Sequence, residues 1–172
     1  MKNVILNNGV YAAVALISIN LLSLFFIGTD SSNYGLGEIV GYTAIVLSLG
    51  FVILGIRHYN MLNDDTSFIK NMAIGSGITL FPSLWFGTYN VIYIKWIDPN
   101  FMENYTNYSL DKMKATMSAQ QFDEAKVKMI EDMEPFNYLY FQFIVMFMTV
   151  FIIGLIITVI SSMILKFKPI AR

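Results

Sequence analysis

PFNYLYFQFIVMFMTVFIIGLIITVISSMIL, residues 135–165, runs for 31 residues without an Asp, Glu, Lys, Arg or His. As a helix it would extend about 46 Å, more than the roughly 30 Å hydrocarbon core of a bilayer, so it must tilt or project. Its aromatic start favours projection, with the helix continuing into the segment that precedes it. Three more uncharged stretches, 10–27, 39–56 and 71–94, each reach the roughly 18 residues that mark a spanning helix. The expected fold is an all-α integral membrane protein with four transmembrane helices, at about 9–28, 38–58, 70–95 and 135–166. They form one membrane domain over 1–172, and an extramembrane amphipathic helical hairpin, 100–134, is inserted between the third and fourth.

Composition agrees. Hydrophobic residues make up 56% of the chain and charged residues 13%, about half the charge of an ordinary soluble domain, so lipid must cover much of the surface. A net charge of −1 offers no field for nucleic acid. The chain has no Cys and one His, His58, which excludes disulfides, thiolate chemistry and a histidine-based metal cluster. No cofactor and no metal ligand set is expected. The first apolar run is longer than the core of a cleavable signal and leads into Gly28-Thr29-Asp30-Ser31, so it reads as a retained anchor after a short tail, 1–8.

Within 100–134, Leu110, Met113 and Met117 follow helical spacing, and Phe122, Ala125, Met129 and Met133 repeat it after a break. Ser118-Ala119-Gln120-Gln121 fits a capping box. Two short helices breaking near Ser118 are expected. Pro99 should stop the third helix, and Pro135 suits the first turn of the last. Tyr89, Tyr93 and Trp96 on one side and Phe136, Tyr138, Tyr140 and Phe141 on the other mark a shared interface with the headgroups.

The Lys and Arg bias sets orientation. Lys2, Arg57, Lys70, Lys166, Lys168 and Arg172 fall on one side, and the short loop 29–37 on the other has none. The termini are expected in the cytoplasm and the hairpin in the periplasm of a multi-pass inner-membrane protein. The five Lys of the long segment share it with eight acids and lie mostly away from a span.

The third span carries the most informative pattern. Ser76, Thr79, Ser83, Gly87 and Asn90 make one continuous helical face of small or polar side chains. Pro82 lies beside it and is expected to kink the helix by freeing a carbonyl one turn earlier. Ser48 on the second span and Asn20 on the first extend the polar set, and Gly41, Ala44, Gly55, Gly154, Thr158 and Ser161 add small positions. Tight helix packing accounts for such a face. A polar seam that passes or binds a neutral solute or a lipid headgroup also accounts for it.

The spans hold no ionisable group, which removes the usual proton relays and cation sites. Glu38 reads as an acid at a helix amino terminus, and Arg57 and His58 as anchors at a carboxyl terminus. Asp64 and Asp65 read as a solvated loop, since adjacent carboxylates do not converge on one substrate. Asn104-Tyr105-Thr106 and Asn107-Tyr108-Ser109 match the glycosylation pattern, which is short and frequent. No phosphate loop, nucleophile elbow or metalloprotease signature is present.

The runs Glu38-Ile39-Val40-Gly41-Tyr42, Gly55-Ile56-Arg57-His58-Tyr59 and Trp96-Ile97-Asp98-Pro99-Asn100-Phe101 add a further clue. Together with the 68–75 start of the third helix and Met117-Ser118 before an acidic, Met-rich helix, they resemble the domain-of-unknown-function family 4199, common in Bacteroidota. The resemblance covers nearly the whole chain in segment order. It implies a four-span inner-membrane protein with a helical segment before the last span, assigns no activity or catalytic residue, and leaves the glycosylation matches unused. The resulting expectation is a non-enzymatic scaffold or accessory subunit, with the bilayer and a second copy or another membrane protein as partners. The alternative is a small transporter or channel-like subunit using the third helix.

Overall fold

A computed structural model describes residues 1–63 and 67–167. Asp64, Asp65, Lys168 and Arg172 lie outside the described residues. The described chain is helical throughout: α1 (Lys2–Ile27), α2 (Tyr34–Asn63), α3 (Phe68–Ile92), α4 (Phe101–Thr116), α5 (Ala119–Met133) and α6 (Leu139–Phe167). The tail expected at 1–8 is not separate. α1 starts at Lys2, because Val4 and Gly9 are already buried against the bundle and Phe81 occupies the space a Cβ at Gly9 would need. At its other end α1 stops at Gly28, whose φ of 73° suits a residue without a Cβ and lets its N–H reach the Leu24 carbonyl at 3.1 Å.

One further boundary differs from the sequence reading. Pro135 does not open the last helix. It sits in a 3-10 turn, Glu134–Asn137, after which extended backbone at Tyr138 bends the chain before α6 begins at Leu139. The last helix therefore does not continue up into the preceding segment. α3 continues past Ile92 as a π-helical turn, Tyr93–Ile97, and leaves the helix at Asp98, directly before Pro99 as expected, in keeping with the steric limits on the residue preceding a proline. Between them, α4 and α5 meet at an extended Met117. The expected capping box forms, with the Ser118 side chain serving the Gln121 backbone and the Gln121 side chain accepting from the Ser118 N–H at 3.2 Å.

α1, α2, α3 and α6 form a bundle in which α3 touches the other three and α2 closes against α1, α3 and α6. α2 and α3 thus form the short diagonal, and α1 and α6 occupy the far corners. Ile56, Leu49, Ile74, Ile78 and Val150 are fully buried along this diagonal. The outer faces are the reverse of a soluble protein's. α6 exposes Ile144, Met148, Ile152, Ile156, Ile160 and Met163 in one stripe, and Phe25, Ile39 and Leu47 are more than half exposed. Exposed hydroxyls on these faces serve themselves: Ser18, Thr43 and Thr88 donate to the carbonyl four residues earlier at 2.8, 2.7 and 2.8 Å. That is what lipid demands of a polar group.

Among the described residues, three helices are long and apolar enough to cross a membrane, namely α1, the stretch Ser31–Asn63, and α6 up to Leu165. α3 has the length, 25 residues, but its Ser, Thr, Gly, Asn and Pro residues lower its apolarity. It packs against α1, α2 and α6 and exposes Ile69, Leu80 and Leu84.

α3 and α6 interlock antiparallel through two glycines and two threonines. A Cβ on Gly154 would lie 2.2 Å from Thr79 Cγ2, and one on Gly75 would lie 2.4 Å from Thr158 Cγ2. Each threonine hydroxyl turns back to its own helix, Thr79 to the Gly75 carbonyl at 2.9 Å and Thr158 to the Gly154 carbonyl at 2.7 Å. The methyl groups are left to fill the facing glycine notches, a pairing of small residues four apart that lets the backbones approach closely. Gly154→Val should lower stability by about 1–3 kcal/mol through overpacking, read as a drop in melting temperature in detergent. Gly154→Ala combined with Thr79→Ala should be less damaging than the sum of the two single changes. Strict additivity would mean that the helices do not meet in this register.

Candidate functional site

The polar face of α3 divides into two parts with different fates. In its middle, Thr79 and Ser83 are fully buried, and Ser83 donates to the Thr79 carbonyl at 2.8 Å. Gly87 accommodates the ring and carbonyl of Phe143 from α6. Ser48 of α2 is fully buried and bonded to the Ile45 carbonyl at 2.8 Å. Ser76 is half-buried on α3, and Pro82 is buried inside a helix that continues past it. The Ser48, Thr79 and Ser83 hydroxyls sit in helix contacts, each donating its proton to a carbonyl of its own helix.

Asn20 and Asn90 have a different setting. Both line a cavity of about 630 Å³ enclosed by the end of α1, the start of α2, the end of α3 and the start of α6. Leu24, Ile45, Phe86, Ile94, Val145 and Met146 supply an apolar wall. Asn20 is 7% exposed with its Nδ2 unpartnered, and Asn90 Oδ1 is buried and unpartnered as well. Gln142, 2% exposed, reaches the Phe136 carbonyl and so fixes the turn before α6 against the cavity rim. Gly37 and Gly41 of α2 border the same space, and a Cβ at either would meet nothing within 4 Å.

α4 lies over the cavity. Its Phe101, Met102 and Tyr105 line the cavity together with Met133 and Phe136. The ring of Tyr34 on α2 meets Phe101, Tyr105 and Tyr108 at centroid separations of 5.4, 6.0 and 5.5 Å, and Tyr93 meets Phe101 at 5.5 Å. Such ring pairs add about 0.5–1.5 kcal/mol each beyond area burial. A polar contact also joins cap and bundle: Tyr105 Oη donates to Glu38 Oε1 at 2.9 Å. Glu38 therefore accepts from a cap helix as well as standing near the start of α2. Arg57 and His58 are exposed on α2, far along the helix from the cap.

The sequence reading found Asn20, Asn90 and the small position Gly41, and missed Gln142, Tyr105 and Gly37. Gln142 carried a signal, being a carboxamide inside the long uncharged stretch. The Tyr105 to Glu38 pair, 67 residues apart, carried none.

Apolar helices of membrane length packed side by side define a helical membrane protein. The chain belongs to the family described as Protein of unknown function (DUF4199), which it matches over residues 7–166. No curated protein and no solved structure matches it.

Burial pushes the Tyr105 phenol up to about 12, with its bond to Glu38 and that carboxylate's charge acting in the same direction. An unfolded tyrosine titrates near 10, so the fold favours the neutral phenol. The Tyr105 contribution is complete below pH 10 and is lost as pH rises through about 12. Ultraviolet titration of tyrosinate should lose one late-titrating group when Tyr105→Phe is introduced. A titration unchanged by Tyr105→Phe would mean that the cap contact does not form.

Proposed function

We propose that this protein is a non-enzymatic, four-span accessory subunit or scaffold of the bacterial inner membrane, with α3 as the fourth span at the centre of the bundle. The observation that carries this reading is the state of the α3 face, where the central hydroxyls are committed to backbone carbonyls and the glycines to threonine and phenylalanine side chains of α6. A packed face of this kind serves rigidity. General acid and base groups are missing from the four uncharged stretches, which supports a non-enzymatic role. The Lys and Arg bias supports cytoplasmic termini and a periplasmic hairpin of α4 and α5. Its partners are the bilayer and a second copy or another membrane protein, reached through exposed helix faces, and not nucleic acid.

One observation favours the transporter alternative: the outer end of the same α3 face, at Asn90, opens into the cavity that Asn20 also lines. The two readings differ at Ser83. Because the chain lacks Cys, single cysteines at Ser83, Asn90 and Met117 can be challenged with a membrane-impermeant thiol reagent in intact and opened cells. The accessory reading predicts protection at Ser83, slow labelling at Asn90 and ready labelling at Met117 from outside. Rapid labelling at Ser83 would establish a water-filled path and overturn it in favour of transport.

A further inference from the structure

We infer that the cavity beneath α4 binds a neutral amphiphile drawn from the bilayer, a long alkyl chain bearing a hydroxyl or carbonyl head, held by the carboxamides of Asn20 and Asn90. Its size falls within the range of small-ligand sites, roughly 300–1,000 Å³, and its lining has their composition, an apolar wall with a few convergent polar groups. The unpartnered Nδ2 of Asn20 lies on a residue more than nine-tenths buried. A donor in that position is stabilised by an acceptor brought in by a ligand, because a buried polar group without a partner is unfavourable. Asn90 Oδ1 adds an unpartnered acceptor to the same lining, so a head that can both give and take hydrogen bonds suits the cavity.

The charge of the head follows from the lining. The charged residues that border the cavity are Asp30 and Glu38, both exposed at its mouth, and no Lys, Arg or His borders it. A phosphate or carboxylate head would enter without a counter-charge and against two acids, which a site of low dielectric penalises heavily. A neutral head has no such cost. The wall of Leu24, Ile45, Val145 and Met146 accepts the chain. The three helices that carry these residues, α1, α2 and α6, expose apolar faces, which makes the bilayer the source. This goes beyond an accessory role, and its test does not depend on Ser83.

The test uses the full chain in lipid nanodiscs and photoactivatable diazirine analogues of hexadecanol, palmitate and hexadecyltrimethylammonium, with crosslinked peptides identified by mass spectrometry. The alcohol should label segments 20–45 and 86–105, and unlabelled hexadecanol, but not butanol, should compete. Asn20→Leu should cut that labelling about fivefold, the size of one lost hydrogen bond. Gly41→Leu, which places a side chain where a Cβ meets open space, should abolish labelling without lowering the melting temperature. Equal or stronger capture of palmitate or of the ammonium analogue would overturn the neutral assignment, and competition by butanol would overturn the bilayer source. Labelling spread over the lipid-facing stripe and indifferent to Gly41→Leu would overturn the site itself.

Discussion

The seating of two threonine methyl groups in two glycine notches, Thr79 against Gly154 and Thr158 against Gly75, sets the distance between α3 and α6, and the rest of the bundle follows from that distance. In a bilayer the hydrophobic effect does not drive helices together, because lipid tails are as apolar as Leu, so shape and dispersion must do so. Glycine gives the close approach, and threonine fills it while returning its hydroxyl to its own helix. With α6 seated on one side of α3 and α1 and α2 on the others, α3 is largely withdrawn from lipid. That withdrawal is what permits its Ser, Thr, Gly and Asn content. The lower apolarity of α3 and its central place are one fact seen at two levels.

The same contact explains where the cavity lies. The interlock holds the middle of the bundle closed, and toward the cap it gives way to Phe143 against Gly87, a larger side chain against a single notch. Beyond that point four helix ends must diverge enough to admit the rings of Tyr34, Tyr93, Phe101 and Tyr105. Aromatic rings are too bulky to interdigitate between helices held at glycine distance. They gather at the end and roof a space instead of filling it. Gly37 and Gly41, which meet nothing within 4 Å, border that space because no neighbour approaches α2 there.

The legibility of these features in the sequence follows their range. Uncharged runs located α1, α2 and α6, since length and apolarity are local properties, and the break near Ser118 was legible from its capping residues. The start of α6 was not, because Pro135 is as well suited to a 3-10 turn as to a first helical turn, and the choice is made by the Tyr138 bend and the Gln142 contact to Phe136. The face of α3 was legible as a face, whereas its division into a packed half and an open half was not. Periodicity states which residues share a side, and only the partner on α6 states whether that side is filled. The cavity draws its lining from α1, α2, α3, α4 and α6 together with Met133 and Phe136, and no local pattern encodes such a convergence.

Within the described bundle, the kind of polar group changes with depth. The middle holds hydroxyls, Ser48, Thr79, Ser83 and Thr158, each of which satisfies its single donor on a carbonyl of its own helix. The carboxamides stand toward the ends, with Asn60 and Asn71 near the α2 to α3 connection and Asn20 and Asn90 at the cavity. A carboxamide has two N–H donors and an acceptor, more than one helical turn can serve, so its burial is favourable only where other polar groups converge on it. Hydroxyls can therefore make a tight seam that needs nothing from a neighbour, whereas the carboxamides of Asn20, Asn60, Asn71 and Asn90 each keep a buried, unpartnered polar atom at one end of the bundle or the other. The α3 to α6 contact is then held by volume alone, with no interhelical hydrogen bond among these threonines to break. A role that required the seam to part would leave no orphaned hydroxyl behind and would cost only packing. Since that packing is also what withdraws α3 from lipid, parting it would bring the polar face of α3 against hydrocarbon chains. The fold resists this opening more strongly than the contact by itself would suggest, and that resistance is the physical basis for reading the middle of the bundle as a support.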